Sequence, residues 1–188
     1  NIGGHALADV LTGKATPGGH LTTTWAENYT DYPNAATFSH MNGDIDDEYY
    51  KEGIYVGYRY FDTFNVAPAY PFGYGKSYRT LAVGAGGADG DAKEVRVKVK
   101  VTNTGDTYAG KEVVQVYYSA PKGAVEKPYQ ELAAYAKTKE LAPGESEELT
   151  ISYPVAEMAS YHAAKASYVL EEGAYYIRVG TNSRATKV

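Results

Sequence analysis

Hydrophobic and polar positions alternate along much of the second half of the chain. Between residues 95 and 101 valines alternate with Arg96, Lys98 and Lys100, and this period of two predicts a strand with one buried face. Residues 113–118 are almost uniformly apolar, which predicts a more deeply buried strand. Further strands are predicted over 130–137, 149–153, 167–170 and 174–180, each bounded by turn residues.

Short strands at regular spacing, with turns such as 103–106 and 141–145 between them, predict an antiparallel β-sandwich over residues 79–188. The glycine-rich stretch 84–90 is predicted to be a flexible joint entering it. Because the chain has no cysteine, the disulfide of immunoglobulin domains is excluded. A fibronectin type III-like (immunoglobulin-like) sandwich therefore fits better, and the fold class is mainly β.

Residues 1–32 follow a different pattern. Apolar residues over 6–11 share one helical face and Gly13 follows as a C-cap, so a short helix is predicted. Residues 20–25 alternate and are β-branched, which predicts a strand. A helix of about two turns and one strand cannot form a core alone. We interpret 1–32 as the C-terminal end of an α/β domain, in a piece of a longer protein.

Residues 33–78 form a long connector between these two regions. Eight of the 20 tyrosines of the chain lie between positions 49 and 78. A connection of this length is normally functional or held by packing. We expect its aromatic residues to hold the sandwich against domains absent from the chain. The residues predicted at this domain interface are Tyr55, Tyr58, Arg59, Phe61 and Phe72.

Charge and composition exclude several classes of function. The 188-residue chain has a net charge of −5 and no basic block, which argues against nucleic-acid and membrane partners. No apolar run approaches the roughly 20 residues of a membrane helix, and with no signal segment visible we expect a cytoplasmic location. The spacing of His5, His20, His40 and His162 predicts no metal site, and we expect no cofactor.

Several long motifs resemble the C-terminal portion of glycoside hydrolase family 3, most often a β-glucosidase. Residues 4–13 with 17–21 are similar to the end of that family's α/β sandwich domain, where the family usually has Lys or Arg at the position of His20. Residues 52–62 and 70–78 resemble its linker. Its fibronectin type III-like domain is matched by residues 101–106, 109–117, 141–145 and 173–176.

The resemblance implies part of a retaining, exo-acting enzyme that hydrolyses O-glycosyl bonds. This chemistry needs two carboxyl groups roughly 5–5.5 Å apart. In the family the nucleophile lies on a (β/α)8 barrel and the acid/base upstream in the α/β sandwich domain, so no catalytic residue is expected here. The implied partners are those two domains, a β-glucoside or oligosaccharide substrate, and a second copy of the chain. The alternative is a non-catalytic carbohydrate- or protein-binding fibronectin-like module.

An acidic cluster at positions 44, 46, 47 and 48 precedes the first connector tyrosines. Runs of charge usually face water, so a solvated loop is the simpler interpretation. Carboxylates and tyrosines also suit sugar hydroxyls and sugar rings. Asp46 and Tyr49 are therefore the candidates for the rim of a substrate site, and stacking of connector tyrosines on sugar stays open.

Overall fold

A computed structural model describes residues 2–188, apart from the side chains of His40 and Ala85. The first part contains α1 (Gly3–Leu11), β1 (Trp25–Ala26), α2 (Tyr58–Thr63) and β2 (Pro68–Tyr70). The second part contains β3 (Leu81–Gly90), β4 (Glu94–Asn103), β5 (Val113–Ser119), β6 (Glu131–Lys137), β7 (Ser146–Pro154), β8 (Ser160–His162), β9 (Ser167–Val169), β10 (Tyr176–Gly180) and β11 (Thr186–Lys187). Neither described helix has the length and apolar character needed to cross a membrane.

The second part is an antiparallel β-sandwich, which confirms the predicted fold class. One sheet has the order β3-β4-β7 and the other the order β11-β10-β5-β6. The core lies between them, and alternate residues of β4 supply Val97, Val99 and Val101, each no more than 1% exposed. Opposite them, β5 contributes Val114 and Val116. The period of two in the sequence thus marks the core face of β4.

Strand β5 is covered on both of its faces. Val114, Val116 and Tyr118 belong to the sandwich core. Gln115 and Tyr117, which alternate with them and so point to the other side of the sheet, are also buried. Residues of the connector cover that outer side. The run 113–118 is therefore apolar because both faces of the strand are packed.

Strand β3 differs from the prediction of a flexible joint. Its glycine-rich residues pair antiparallel with β4, from Leu81 opposite Asn103 to Gly90 opposite Val95, with a register shift between Ala85 and Gly87. This strand lies at the edge of its sheet, and most of its described residues are exposed. Backbone pairing with β4 therefore forms the strand without an apolar pattern of its own.

Three further elements differ from the sequence prediction. The strand predicted over 20–25 is reduced to β1, which pairs with the short β2, while Leu21 exchanges backbone hydrogen bonds with Gly73 and Tyr74. The segment 167–170 pairs only with β8, in a two-stranded sheet outside the sandwich. Helix α2 was not predicted, since it lies in the connector.

Asn103 joins two turns at one end of the sandwich. Its Nδ2 donates to the carbonyl oxygens of Tyr108 and Leu141, at 2.9 Å each. Its Oδ1 accepts from the backbone N–H of Gly105 at 3.1 Å. The residue is fully buried. Its side chain is the donor to the Tyr108 carbonyl, while the Leu141 carbonyl also accepts from Gly110 N–H and the Gly105 N–H also donates to the Thr80 carbonyl.

We expect Asn103→Ala to lower the free energy of unfolding by about 2–3 kcal/mol, because three hydrogen bonds are lost and the Tyr108 carbonyl loses its donor. Urea unfolding followed by circular dichroism measures the change. Asp106→Ala, on the exposed side of the same turn, is the control and should cost less than about 0.5 kcal/mol. Equal costs for the two variants would show that Asn103 does not hold the turns together.

Candidate functional site

Helix α2 of the connector packs on the outer side of β5. Phe61 is 1% exposed and meets Tyr32 edge to face at 5.8 Å between ring centroids. Tyr58 lies against Phe72 at 4.8 Å and meets the edge of Tyr117 at 5.9 Å. Aromatic pairs at these separations contribute beyond the area they bury. We call the contacts of residues 55–74 with the sandwich the connector layer.

Polar groups close the connector layer at the end of α2. Arg184 Nε lies 2.7 Å from Asp62 Oδ1, and its guanidinium also donates to the carbonyl oxygen of Phe61 at 2.7 Å. Gln130 Nε2 donates to Asp62 Oδ2 at 3.0 Å. Burial raises the pKa of Asp62, while the donated bonds from Gln130 and Arg184 act in the opposite direction. The segment after β10 is thereby fastened to the connector.

A second buried polar group lies under the segment after β2. Tyr117 Oη donates to Gln115 Oε1 at 2.5 Å, and burial raises the pKa of Tyr117 far above its ordinary value. Gln115 Nε2 donates to the carbonyl oxygens of Gly73 and Thr181. A Cβ at Gly73, where φ is +79°, would collide with the Gln115 carboxamide. Glycine therefore lets the connector approach β5.

The five residues predicted at a domain interface all lie in the connector layer. Tyr55 Oη donates to Glu126 Oε1 at 2.7 Å, and Arg59 Nη2 lies 2.9 Å from Glu131 Oε1. Tyr58 Oη accepts from the backbone N–H of Leu132 at 2.8 Å. Phe61 and Phe72 complete the set. The contacts of Tyr55, Tyr58 and Arg59 are with the sandwich of the same chain, whereas the ring of Phe61 meets Tyr32 and only its carbonyl oxygen accepts from Arg184.

Other apolar side chains point away from the connector layer. Helix α1 has no buried residue, and Leu7 and Leu11 are 59% and 72% exposed. Trp25 of β1 is 53% exposed. Three clefts border the segment 19–25, and the two that contain Trp25 or Tyr29 have volumes of about 420 and 370 Å³. We define the exposed apolar set as Leu7, Leu11, Trp25, Tyr29 and Phe38, all of which are exposed.

The first of these two clefts is lined by aromatic rings. Trp25 meets Tyr70 edge to face at 6.3 Å, and Tyr70 lies 5.2 Å from Tyr74. Lys76 and His20 also line it. The second cleft contains Tyr29 and Phe38 and a single carboxylate, that of Glu52.

Asp46 and Tyr49 lie on an exposed loop outside both clefts. Asp44 Oδ1 accepts from the backbone N–H of Asp46 at 2.9 Å and from that of Asp47 at 3.2 Å. Asp46 and Tyr49 are exposed. Among the described side chains, which exclude that of His40, no three His, Cys, Asp or Glu residues converge to hold a metal ion.

Several residues of the connector layer were not singled out from the sequence. Gln115 is the one residue of this group that the sequence could have indicated. It is a polar residue within an apolar strand, and a buried polar side chain must find hydrogen-bond partners. Asp62, Gln130 and Arg184 come from distant parts of the chain. The fold brings these three side chains together, and no local sequence pattern predicts the contact.

Two family models match the chain. Residues 1–58 match the glycosyl hydrolase family 3 C-terminal domain, and residues 112–183 match the fibronectin type III-like domain. "Beta-glucosidase A" of Butyrivibrio fibrisolvens is 43% identical over 99% of this chain and 25% of its own length. An "Exo-alpha-(1->6)-L-arabinopyranosidase" of Bifidobacterium breve is 39% identical over 97% of this chain and 24% of its own length.

Solved structures of β-glucosidases are also similar to this chain. The structure of β-glucosidase 3B from Thermotoga neapolitana in complex with glucose has a TM-score of 0.91 and 45% identity, covering 100% of this chain and 26% of that one. A β-glucosidase from Kluyveromyces marxianus in complex with glucose has a TM-score of 0.88 and 34% identity, covering 97% and 22%. The chain thus spans about a quarter of the length of the relatives it matches.

We expect Phe61→Ala to lower the free energy of unfolding by about 3–5 kcal/mol, because a buried aromatic side chain is lost from the connector layer. Tyr50→Ala, at a connector position that is 86% exposed, is the control and should cost less than about 0.5 kcal/mol. Chemical denaturation of both variants provides the comparison. An unchanged midpoint for Phe61→Ala would mean that α2 is not held by the packing of Phe61 against Tyr32.

Proposed function

We propose that this chain, which carries the glycosyl hydrolase family 3 C-terminal domain and a fibronectin type III-like domain, is the non-catalytic C-terminal part of a retaining, exo-acting β-glucosidase. The observation that carries this proposal is the similarity over nearly the whole chain to about a quarter of several β-glucosidases. Its role is to support the catalytic domains, and its substrate class is a β-glucoside or oligosaccharide.

The clefts of the chain support a non-catalytic role. A retaining glycosidase needs two carboxyl groups facing each other across the scissile bond. In the described part of the chain, none of the five clefts is lined by more than one carboxylate. We therefore assign the nucleophile and the acid/base to the remaining domains of the parent enzyme, the (β/α)8 barrel and the α/β sandwich.

The exposed apolar set supports docking onto those domains. A nine-residue helix is marginal without tertiary contacts, and α1 has no buried residue. A larger α/β domain would cover Leu7 and Leu11 and give the helix its packing. We propose residues 1–32 as the edge of that domain, 33–78 as the connector and 79–188 as the sandwich that anchors both. A cytoplasmic location and self-association stay predictions.

The exposed loop of Asp46 and Tyr49 is the part of the connector that could reach a substrate held by the other domains. Both side chains face solvent, and Asp44 holds the turn before them. We propose them as contacts at the rim of the substrate site. In the reassembled enzyme, Asp46→Asn and Tyr49→Ala should then raise KM and leave kcat unchanged, and an unchanged KM would remove them from the rim.

A carbohydrate-binding module is the second candidate, because of the aromatic cleft of Trp25, Tyr70 and Tyr74. Aromatic faces beside a polar group such as Lys76 suit sugar rings. Pull-down of the chain on insoluble glucan, with Trp25→Ala as the comparison, tests it. Retention that depends on Trp25 would favour the module.

The direct test of the proposed function is turnover of an aryl β-glucoside. The chain alone should show none, and addition of the remaining domains of its parent should restore it, because the catalytic carboxylates lie there. The remaining domains alone are the control and should be less active or less stable than the complete set. Turnover by the chain alone would overturn the proposal.

We expect Leu11→Ser to weaken association with the remaining domains by at least about fivefold, since full burial of a leucine side chain contributes about 1.5–3 kcal/mol. The stability of the chain alone should change little, because Leu11 is exposed. Leu170→Ser, at an exposed leucine of the second part, is the matched control. Titration calorimetry measures both, and equal affinities would exclude α1 from the docking surface.

A further inference from the structure

The imidazole ring of His20 lies between two hydrogen-bond acceptors. Its Nδ1 is 2.5 Å from the carbonyl oxygen of Gly73, and its Nε2 is 3.0 Å from Glu112 Oε1. A carbonyl and an ionised carboxylate can only accept, and a neutral imidazole has one N–H. Both contacts are hydrogen bonds only when both ring nitrogens carry a proton. The geometry therefore selects the imidazolium form.

These two bonds join three parts of the chain. His20 precedes β1, Gly73 belongs to the connector, and Glu112 precedes β5 of the sandwich. The side chains of His20 and Glu112 are each only 12% exposed. A Cβ at Gly75 would lie within 3 Å of the ring, so the backbone encloses it closely. The backbone N–H of Leu21 also donates to the carbonyl oxygen of Tyr74 at 2.8 Å.

Both negatively and positively charged side chains lie near the His20 ring. Glu112 is the one carboxylate that contacts it among the described residues. Arg79, with its side chain 2% exposed, lies 3.9 Å from the other oxygen of Glu112 and donates to the carbonyl oxygen of Pro17. Lys137 donates to the carbonyl oxygen of Gly18 at 2.8 Å, and Lys76 lines the same cleft as His20. Arg79 opposes protonation of the ring, and Glu112 and Gly73 favour it.

The balance of these effects favours the charged ring. Burial lowers the pKa of His20, but the hydrogen bonds to Glu112 and Gly73, with the attraction of Glu112, outweigh burial and the repulsion of Arg79, so the pKa is raised. A group with a raised folded pKa stabilises the fold fully below its unfolded pKa. That stabilisation is lost as the pH rises through the folded pKa.

We propose that His20 is a pH-sensitive latch at the joint between residues 16–26, the connector and the sandwich. The protonated ring holds Gly73 and Glu112 together. Loss of one proton removes one of the two donors and leaves an acceptor facing a ring lone pair. The joint then loosens as the pH rises through the folded pKa of His20. This proposal stands apart from the proposed function, because it concerns the stability of the chain and needs no turnover.

The state of the ring is read directly by NMR of the 188-residue chain with ¹⁵N-labelled histidine. We expect both ring nitrogens of His20 to show the shifts of an imidazolium at about pH 6.5, with a titration midpoint above the ordinary value. A neutral tautomer at this pH, or a midpoint at or below the ordinary value, would overturn the proposal. This measurement needs no variant.

Urea unfolding of the wild type, His20→Lys and His20→Gln between about pH 5.5 and pH 9 tests the latch. The unfolding equilibrium constant of the wild type should rise relative to His20→Lys as the pH rises, by about tenfold for each unit by which the folded pKa exceeds the unfolded one. Lysine stays charged and glutamine stays neutral over this pH range. The stability of both variants should therefore lack the pH dependence that His20 gives the wild type. Parallel curves for wild type and His20→Lys would contradict the latch. His5, His40 and His162 are present in all three proteins, so their contributions to the pH dependence cancel.

Discussion

Strand β5 is buried on both faces, and the rest of the structure is arranged around that requirement. Val114 and Val116 need the opposite sheet of the sandwich, while Gln115 and Tyr117 need a cover on the other side. The sandwich alone cannot supply that cover. Helix α2 and the segment through Gly73 do so, with rings for the apolar surface and a backbone carbonyl for the carboxamide. The connector is thus a third layer of the fold.

This layer changes the meaning of the tyrosine-rich segment. From the sequence, its aromatic residues were expected to hold the sandwich to absent domains. In the structure Tyr55 and Tyr58 hold the connector to the sandwich of the same chain, with Asp62 and Arg184 closing the edge. Tyr49, Tyr50 and Phe64 of the connector are exposed, and their contact with absent domains stays a prediction. Leucines and aromatic rings are also exposed on α1 and around β1.

The sequence predicted the elements whose signal is local. Alternating valines located β4, and the apolar run located β5. Strand β3 was missed because a glycine-rich edge strand takes its structure from its neighbour, and α2 was missed because its pattern is mixed with loop residues. At the candidate site, Tyr58 and Phe61 were found as aromatic residues, but their partners were not. His20, Gly73 and Glu112 meet across the fold, so no spacing along the chain reveals them.

Hydrogen–deuterium exchange of the intact chain tests the central claim. This claim is that the connector is packed as a layer on the sandwich, whereas α1, which has no buried residue, is not. We expect the amides of α2 to be protected in the same cooperative unit as those of β5, because α2 packs on the outer side of that strand. The amides of α1 should exchange far faster. Fast exchange throughout α2, with β5 still protected, would contradict the account.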